Sequence, residues 1–189
     1  HVSGCQPSGQ PGGAMLQVFS RLVSLPAAGS YRVTEFTYHY DEFTIPGRLA
    51  SFLRDEPEDI DSYSREDEWL PQEKVLVSEP LIMRDYRFQQ IAIHPLQYNA
   101  AQNKIRLLKD IHLIMEFDSS DRTNPLHQAS GFATPSFKRL AEGLLSGFED
   151  TREERKGSYL IITPDAQVQS LQPLKSWKQR LGYSTVIAP

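Results

Sequence analysis

Residues 104–117 read KIRLLKDIHLIMEF, and this stretch decides the fold class. Ile111, Leu113, Met115 and Phe117 recur at every second position. Side chains alternate across a strand, so this spacing puts the four on one face of a half-buried strand. Upstream of them Ile105–Leu108 is a second apolar run, entered from the turn-like Asn99-Ala100-Ala101-Gln102-Asn103. Tyr31–Tyr40 alternates too, with Phe36, Tyr38 and Tyr40 on one face and Tyr31 and Val33 on the other, and Phe43–Ile45 continues it. Leu16–Leu25 is rich in Leu, Val and Phe and closes at the turn Pro26-Ala27-Ala28-Gly29, while Val75–Val77 and Tyr86–Ile93 add further strand signals. Five or more strands at short intervals, with no helical pattern before residue 134, predict a mainly β fold over residues 15–125, an antiparallel sandwich or barrel. Residues 1–14, rich in Gly, Pro and Ser, are expected to form a flexible tail.

Residues 47–73 interrupt the strands. Eight acidic side chains fall between Asp55 and Glu68, with Pro57 and Pro71 as breakers, which predicts a long solvated excursion. The carboxylates invite a calcium reading, but the spacing fails. In a twelve-residue loop starting at Asp59, the sixth position is Ser64 in place of Gly and the twelfth is Leu70 in place of Glu.

The pattern changes after the polar stretch Asp118–Ser130. Thr134 suits a helix N-cap and Pro135 the first helical position, and Phe137, Leu140, Ala141, Leu144, Leu145 and Phe148 form an apolar stripe. Residues 149–157 (EDTREERKG) are charged without apolar anchors, so 126–157 is expected to be a helix followed by an exposed linker open to proteases. Tyr159–Ile162 then reads as a buried strand, Val168–Leu181 as a helix with a kink or restart at Pro173, and Ser184–Ile187 as the next strand. On this helix Trp177 is expected in the core, with Lys178 on its rim. A strand-helix-strand run belongs to parallel α/β domains, whose sites gather at the carboxyl ends of several strands. Residues 158–189 are therefore expected to open an incomplete α/β domain whose site lies mostly beyond residue 189.

Composition excludes several classes. The 189 residues carry a formal net charge of −4, with 39% hydrophobic and 23% charged residues. That gives no basic face for nucleic acid. No apolar run reaches the ~18 residues of a spanning helix. One cysteine, Cys5, allows no intrachain disulfide, and its tail offers neither a neighbouring base nor a wall against water. His39, His94, His112 and His127 lack ligand spacing. There is no phosphate loop, CxxC pair or GxSxG elbow, and no catalytic residue or metal ligand is assigned.

The segment SEPLIMRDYRFQQIAIHPLQYN (78–99), followed by KIRLLKDIHLIMEF (104–117), resembles the amino-terminal prodomain of gingipain-type cysteine peptidases. The family pattern is S-[DE]-P, a hydrophobic-R-D step, a strand, then P-x-Q-Y-N-P; here Ala100 replaces the last Pro. VFSRLVSLP (18–26) resembles the family's first strand pair. YLIITPDAQVQSLQPLKSWKQRLGYSTVI (159–187) is similar to the start of its catalytic domain, with Trp177, Lys178 and Gly182 matching W-K-x-x-x-G.

The resemblance implies a secreted or cell-surface bacterial protein in which a β-sandwich prodomain assists folding and keeps the zymogen latent. Its partner would be the catalytic domain of the same polypeptide, with no nucleic acid and no membrane span. No cofactor is implied for this chain, although calcium in the catalytic domain is. Arg54-Asp55-Glu56-Pro57 resembles the family's inhibitory loop, making Arg54 the candidate plug of an acidic specificity pocket. The stretch 147–152 resembles its processing junction, making Arg152 the first candidate, with Arg155 and Lys156 behind it. The catalytic Cys and His map to nothing here. Two other readings remain open at this point: a β-sandwich binding or adhesin module, and the prodomain of a type IX secretion sortase-like homologue.

Overall fold

The computed structural model describes residues 2–9, 13–50 and 67–189. In chain order it contains β1 (Gln6–Ser8), β2 (Leu16–Leu25), β3 (Ser30–Thr44), β4 (Val75–Val77) and β5 (Leu81–Met83). Next come β6 (Tyr86–Ile93), β7 (Leu96–Asn99), β8 (Lys104–Asp118), β9 (Phe132–Ala133), α1 (Pro135–Leu144) and β10 (Leu145–Ser146). The chain closes with β11 (Glu153–Glu154), β12 (Ser158–Ile162), a 3-10 turn at Asp165–Gln167, α2 (Gln172–Arg180) and β13 (Ser184–Ala188). These elements fall into two units: residues up to His127 with Leu145–Gly147, and Gln128–Leu144 with Phe148–Pro189.

The first unit is built from two sheets. One has the order β1-β2-β6-β4, with β5 also on β6 and β10 on β2; the other is β3-β8-β7. All its pairings are antiparallel except β10 on β2, so the predicted mainly β, antiparallel sandwich is what the chain forms. Leu16 on β2 and Tyr98 on β7 centre an apolar cluster that also takes in Ile45, Leu49, Leu96 and Ile105. β1 departs from the expectation of a flexible tail: Gln6–Ser8 pair with Leu16–Val18, so part of that tail is an edge strand. A polar tripeptide carries no periodic signal of its own, and a neighbour with free edge groups decides its state.

Ile105–Leu108 and Ile111–Phe117 prove to be one strand. β8 runs fifteen residues and pairs with β3 along its length, from Ser30↔Asp118 to Thr44↔Lys104. Two irregularities break the register. Val33 faces Met115 and Glu35 faces Ile114, leaving Thr34 as an extra residue. A bulge of this kind shifts the alternation by one. Phe36, opposite Leu113, therefore lies on the same face as Val33, and the expected split between Tyr31/Val33 and Phe36/Tyr38 disappears. The second break lies between Thr37 and His39, opposite Asp110, whose φ is 50°. Gly29, at φ +89°, is the one residue that fits its turn, because a Cβ there would lie 2.3 Å from Cζ of Phe117.

The centre of this unit is polar. Arg87 on β6 is only 1% exposed. Its Nε donates to the Asn124 carbonyl (2.8 Å), Nη2 to Thr123 (2.7 Å), and Nη1 to Pro26 (3.1 Å) and Gly29. One guanidinium thus ties the β2–β3 turn to the chain leaving β8. Burial pushes its pKa down, and the nearby Asp121 charge opposes that shift. Two residues along the strand, Gln89 crosses between the sheets. Its Oε1 accepts from Tyr31 N (2.7 Å) and its Nε2 donates to the carbonyls of Ser78 (2.9 Å) and Tyr31.

In the second unit β12 and β13 pair in parallel from Ser158↔Ser184 to Ile162↔Ala188, joined through α2. The helix is shorter than the spacing predicts. Residues 165–167 form a 3-10 turn and α2 starts at Gln172, with Pro173 in its first turn, where a missing N–H costs nothing. Leu160, Ile162 (78% exposed) and Val186 share the open face of the pair. Trp177 is also exposed, contrary to the core position expected for it. It lies under the Lys178 ammonium, 4.6 Å from its ring centroid. The helix α1 begins at Pro135 as expected, with Thr134 O accepting from Phe137 N and Lys138 N, but it stops at Leu144. Leu145–Ser146 leave it to pair with Leu22–Val23, and Gly147 turns the chain at φ +69°. Tertiary pairing overrides the helical stripe there.

Replacing Arg87 by Met should strand four backbone carbonyls in the interior and cost about 3–5 kcal/mol, read as a lowered denaturant midpoint. A second expectation concerns acid. Asp121 accepts from Ser30 Oγ and from the side chain and backbone of Thr123, which with the Arg87 charge hold its carboxyl at about 2. A depressed folded pKa gives stability that is whole above the ordinary carboxylate range and lost as the pH falls through it. Asp121→Asn should therefore be less stable at pH 7 and flatter in its acid loss between about pH 4 and 2, measured by urea titration at stepped pH.

Candidate functional site

Arg54 lies outside the described residues, as do Asp59 and Asp61. The flanks of that segment are held tightly. On the incoming side the Ala50 carbonyl accepts from Met15 N (2.7 Å), and Ile45 exchanges two hydrogen bonds with Asn103. On the outgoing side Asp67 Oδ1 accepts from Asn99 Nδ2 (2.7 Å) and Gln102 Nε2 (2.6 Å), which lower its pKa in that order. Leu70 and Tyr98 bond reciprocally through their backbones (2.9 and 2.8 Å). The Arg106 guanidinium lies 3.7 Å from the Trp69 ring centroid and donates to Glu42 (2.7 Å). Both flanks are thus fastened to the β7–β8 turn. Composition marks 47–73 as an excursion; it gives no sign of this anchorage, which uses Asn99, Gln102 and Asn103 from the turn-like pentapeptide.

The junction differs from the open linker expected of it. Glu153–Glu154 pair in parallel with Phe132–Ala133, and Arg155 N donates to the Ala133 carbonyl (2.8 Å). Lys138 and Glu154 add an ion pair at 3.2 Å. Charge-rich chain can enter a ladder because its backbone groups, blind to side-chain charge, find partners while the carboxylates stay in water.

The three basic candidates sit in different surroundings. The Arg152 side chain is 21% exposed and forks onto Asp150 (Nε–Oδ1 2.9 Å, Nη2–Oδ2 2.7 Å), with Nη1 on the Ser130 carbonyl (3.0 Å). Arg155 is 61% exposed and donates to Glu153, also exposed; the pair raises the arginine pKa and lowers the glutamate pKa. Lys156 donates Nζ to the Leu181 carbonyl at the end of α2 and lies over the Tyr183 ring.

Nothing in the described residues assembles a nucleophile. Cys5 is half-buried and its thiol pKa is pushed up by burial, the wrong direction for a reactive thiolate. His39 pairs with Asp110 at 3.6 Å on the exposed ribbon. Burial pushes the His94 pKa down. Among the described residues no three metal-binding side chains cluster, and no helix is long and apolar enough to cross a membrane.

The Propeptide_C25 family model matches residues 1–155. The chain belongs to the Propeptide_C25 family. Among curated proteins it is similar to gingipain R2 of Porphyromonas gingivalis, 22% identical over 94% of this chain and 26% of the relative. It is also similar to Lys-gingipain of the same organism, 22% identical over 96% of this chain and 12% of the relative. The chain therefore spans about a quarter or less of the curated relatives it matches. Among solved structures it resembles a complex of Porphyromonas gingivalis RgpB pro- and mature domains (TM-score 0.58, 20% identity, 75% of each chain). A structure concerning zymogenic latency of gingipain K gives a TM-score of 0.50 at 21% identity, over 61% of this chain and 71% of that one. The fold is that of a gingipain-type prodomain, as the 78–117 motif implied.

The anchorage can be tested apart from any activity. Asn99 is fully buried and holds both Asp67 and, through Oδ1, the Gln102 amide (2.9 Å). Asn99→Leu should cost about 1–3 kcal/mol, because a buried donor and acceptor are lost and the Gln102 N–H is left unpaired; a denaturant midpoint equal to that of the wild type would contradict it.

Proposed function

We propose that this chain is the prodomain of a gingipain-like cysteine endopeptidase, secreted or at the cell surface of a bacterium, and that it keeps the peptidase latent and assists its folding. Its partner is the catalytic domain of the same polypeptide. The observation that carries the reading is a change of architecture at one place in the chain. The propeptide match ends at residue 155, and a parallel strand-helix-strand run begins at Ser158. Residues 158–189 are read as the opening of the α/β catalytic domain. Parallel sheets are covered on both faces, and the open apolar face of Leu160, Ile162 and Val186 suits a sheet that continues.

Arg54 is read as the plug. It belongs to a segment whose outgoing flank is held by Asn99, Gln102 and Arg106. A guanidinium in an acidic pocket makes charge-assisted, bidentate hydrogen bonds. Calcium, if the protein uses it, belongs to the catalytic domain on this reading.

The test is titration of the mature peptidase of the same polypeptide with the 189-residue chain. Stoichiometric inhibition is expected, and Arg54→Ala should weaken it on the order of 100-fold, as for one partner lost from a buried pair. Absence of inhibition by the unaltered chain would remove the latency reading; unchanged inhibition by Arg54→Ala would remove only the plug.

A further inference from the structure

We infer that the gap between the free edges of β3 and β4 is a peptide-binding slot. It takes an extended segment of another molecule as an added strand, with a basic side chain near Glu79. The inference does not rest on the latency reading and is tested apart from it.

β3 ends one sheet and β4 ends the other. Between them lies a cavity of about 390 Å³, bordered by Tyr31 and Val33 on one side and Val75 and Val77 on the other. That volume falls among those of small-ligand pockets, about 300–1,000 Å³.

Backbone direction decides what the cavity offers. In an antiparallel ladder alternate residues turn both N–H and C=O toward the partner, and the residues between them turn both away. The Lys74 carbonyl accepts from His94 N (2.8 Å) and Ser78 N donates to the Gln90 carbonyl (2.9 Å), so the even-numbered residues of β4 face β6. Val75, opposite Ile93, and Val77, opposite Ile91, therefore point their backbone groups away from the sheet. On β3 the backbone of Tyr31 is met by Gln89, not by β8, so it turns outward. Val33 lies two residues on with no register break between, and does the same. Among the described residues no further strand pairs with either edge.

Gln89 shows what fits. Its side chain ends in a carboxamide, the same chemical group as a peptide bond. Oε1 accepts from Tyr31 N (2.7 Å), while Nε2 donates to the carbonyls of Tyr31 (3.3 Å) and Ser78 (2.9 Å). One amide thus links the two edges as a residue of an intervening strand would. The rungs at Val33, Val75 and Val77 have no such filling among the described residues. A peptide backbone supplies donor and acceptor together at a two-residue repeat, about 6.7 Å.

The walls set the side chains of the guest. Val33, Val75 and Val77 are half-buried and favour apolar residues at alternate positions. The charge is negative: Glu79 is exposed, and Asp121 is held ionised by Ser30 and Thr123. Arg32, the cation among the lining residues described, is drawn to Glu116 at 3.5 Å. A basic residue is the complement.

Titrating the full 189-residue chain into a fluorophore-labelled KVTVK peptide, read by anisotropy, tests this. Saturable binding is expected, at least about 10-fold weaker when the three central residues of the peptide are N-methylated, because the pairing N–H groups are gone. Val77→Pro should weaken it similarly, since proline removes an outward N–H and leaves Leu76 and Ser78 to pair with β6. Glu79→Gln should weaken it several-fold and reduce its dependence on salt. No saturable binding, or equal binding of the N-methylated peptide, overturns the inference. Unchanged affinity for Glu79→Gln overturns the basic preference. A dimer of the chain that the peptide splits, seen by sedimentation, overturns the choice of guest.

Discussion

A single buried cation organises the sandwich. Arg87 sits on the central strand of the larger sheet and gives its donors to backbone carbonyls of two chain segments, Pro26–Gly29 and Thr123–Asn124. Buried charge is tolerated only when it is hydrogen-bonded throughout. The carbonyls of those irregular segments, in turn, need donors that water cannot bring. Each side satisfies the other, and Asp121 lies close enough to offset part of the cost of burying the charge. Gly29 shows how little slack remains, with Phe117 occupying the space a side chain would need.

The same logic runs through the stretch 78–99. Arg87, Gln89, Gln97 and Asn99 are all buried polar side chains, two on one face of β6 and two on one face of β7. Each bonds outside its own strand: to the loops, to β3, to Pro71 and to Asp67. A chain whose apolar core is modest gains specificity from such bonds, because any slip of register would leave these groups unpaired. The motif that carries the family resemblance is therefore, physically, a row of internal fasteners. Its last member, Asn99, also holds the outgoing flank of the segment that bears Arg54. Latency, on the proposed reading, is attached to a strand end held by buried side-chain hydrogen bonds.

The carboxyl-terminal unit obeys a different principle. Its parallel pair buries one face under α2 and leaves Leu160, Ile162 and Val186 exposed. Between the two architectures runs a strongly charged stretch, and there the tertiary structure sorts three basic residues that look alike in sequence. Arg152 is clamped to Asp150 and the Ser130 carbonyl, Lys156 reaches the Leu181 carbonyl, and Arg155 is left in solvent.

The sequence alone determined the strands that have a period to show. Alternation located β3 and the second half of β8, apolar content bounded by turns located β2 and β6, and the apolar runs around a Pro-restarted helix located β12, α2 and β13. Only the tertiary structure decided the rest. The Thr34 bulge reverses the apparent faces of β3, since one unpaired residue is invisible to any periodic count. Leu145 and Glu153 become strand residues because neighbouring edges offer backbone partners, against a helical stripe and a run of charge. Arg87 looks like any surface arginine until its carbonyl partners, about 35 to 60 residues away in the chain, are brought round it. Periodicity is a local property and hydrogen-bond satisfaction is not, which is why the first could be read from the letters and the second could not.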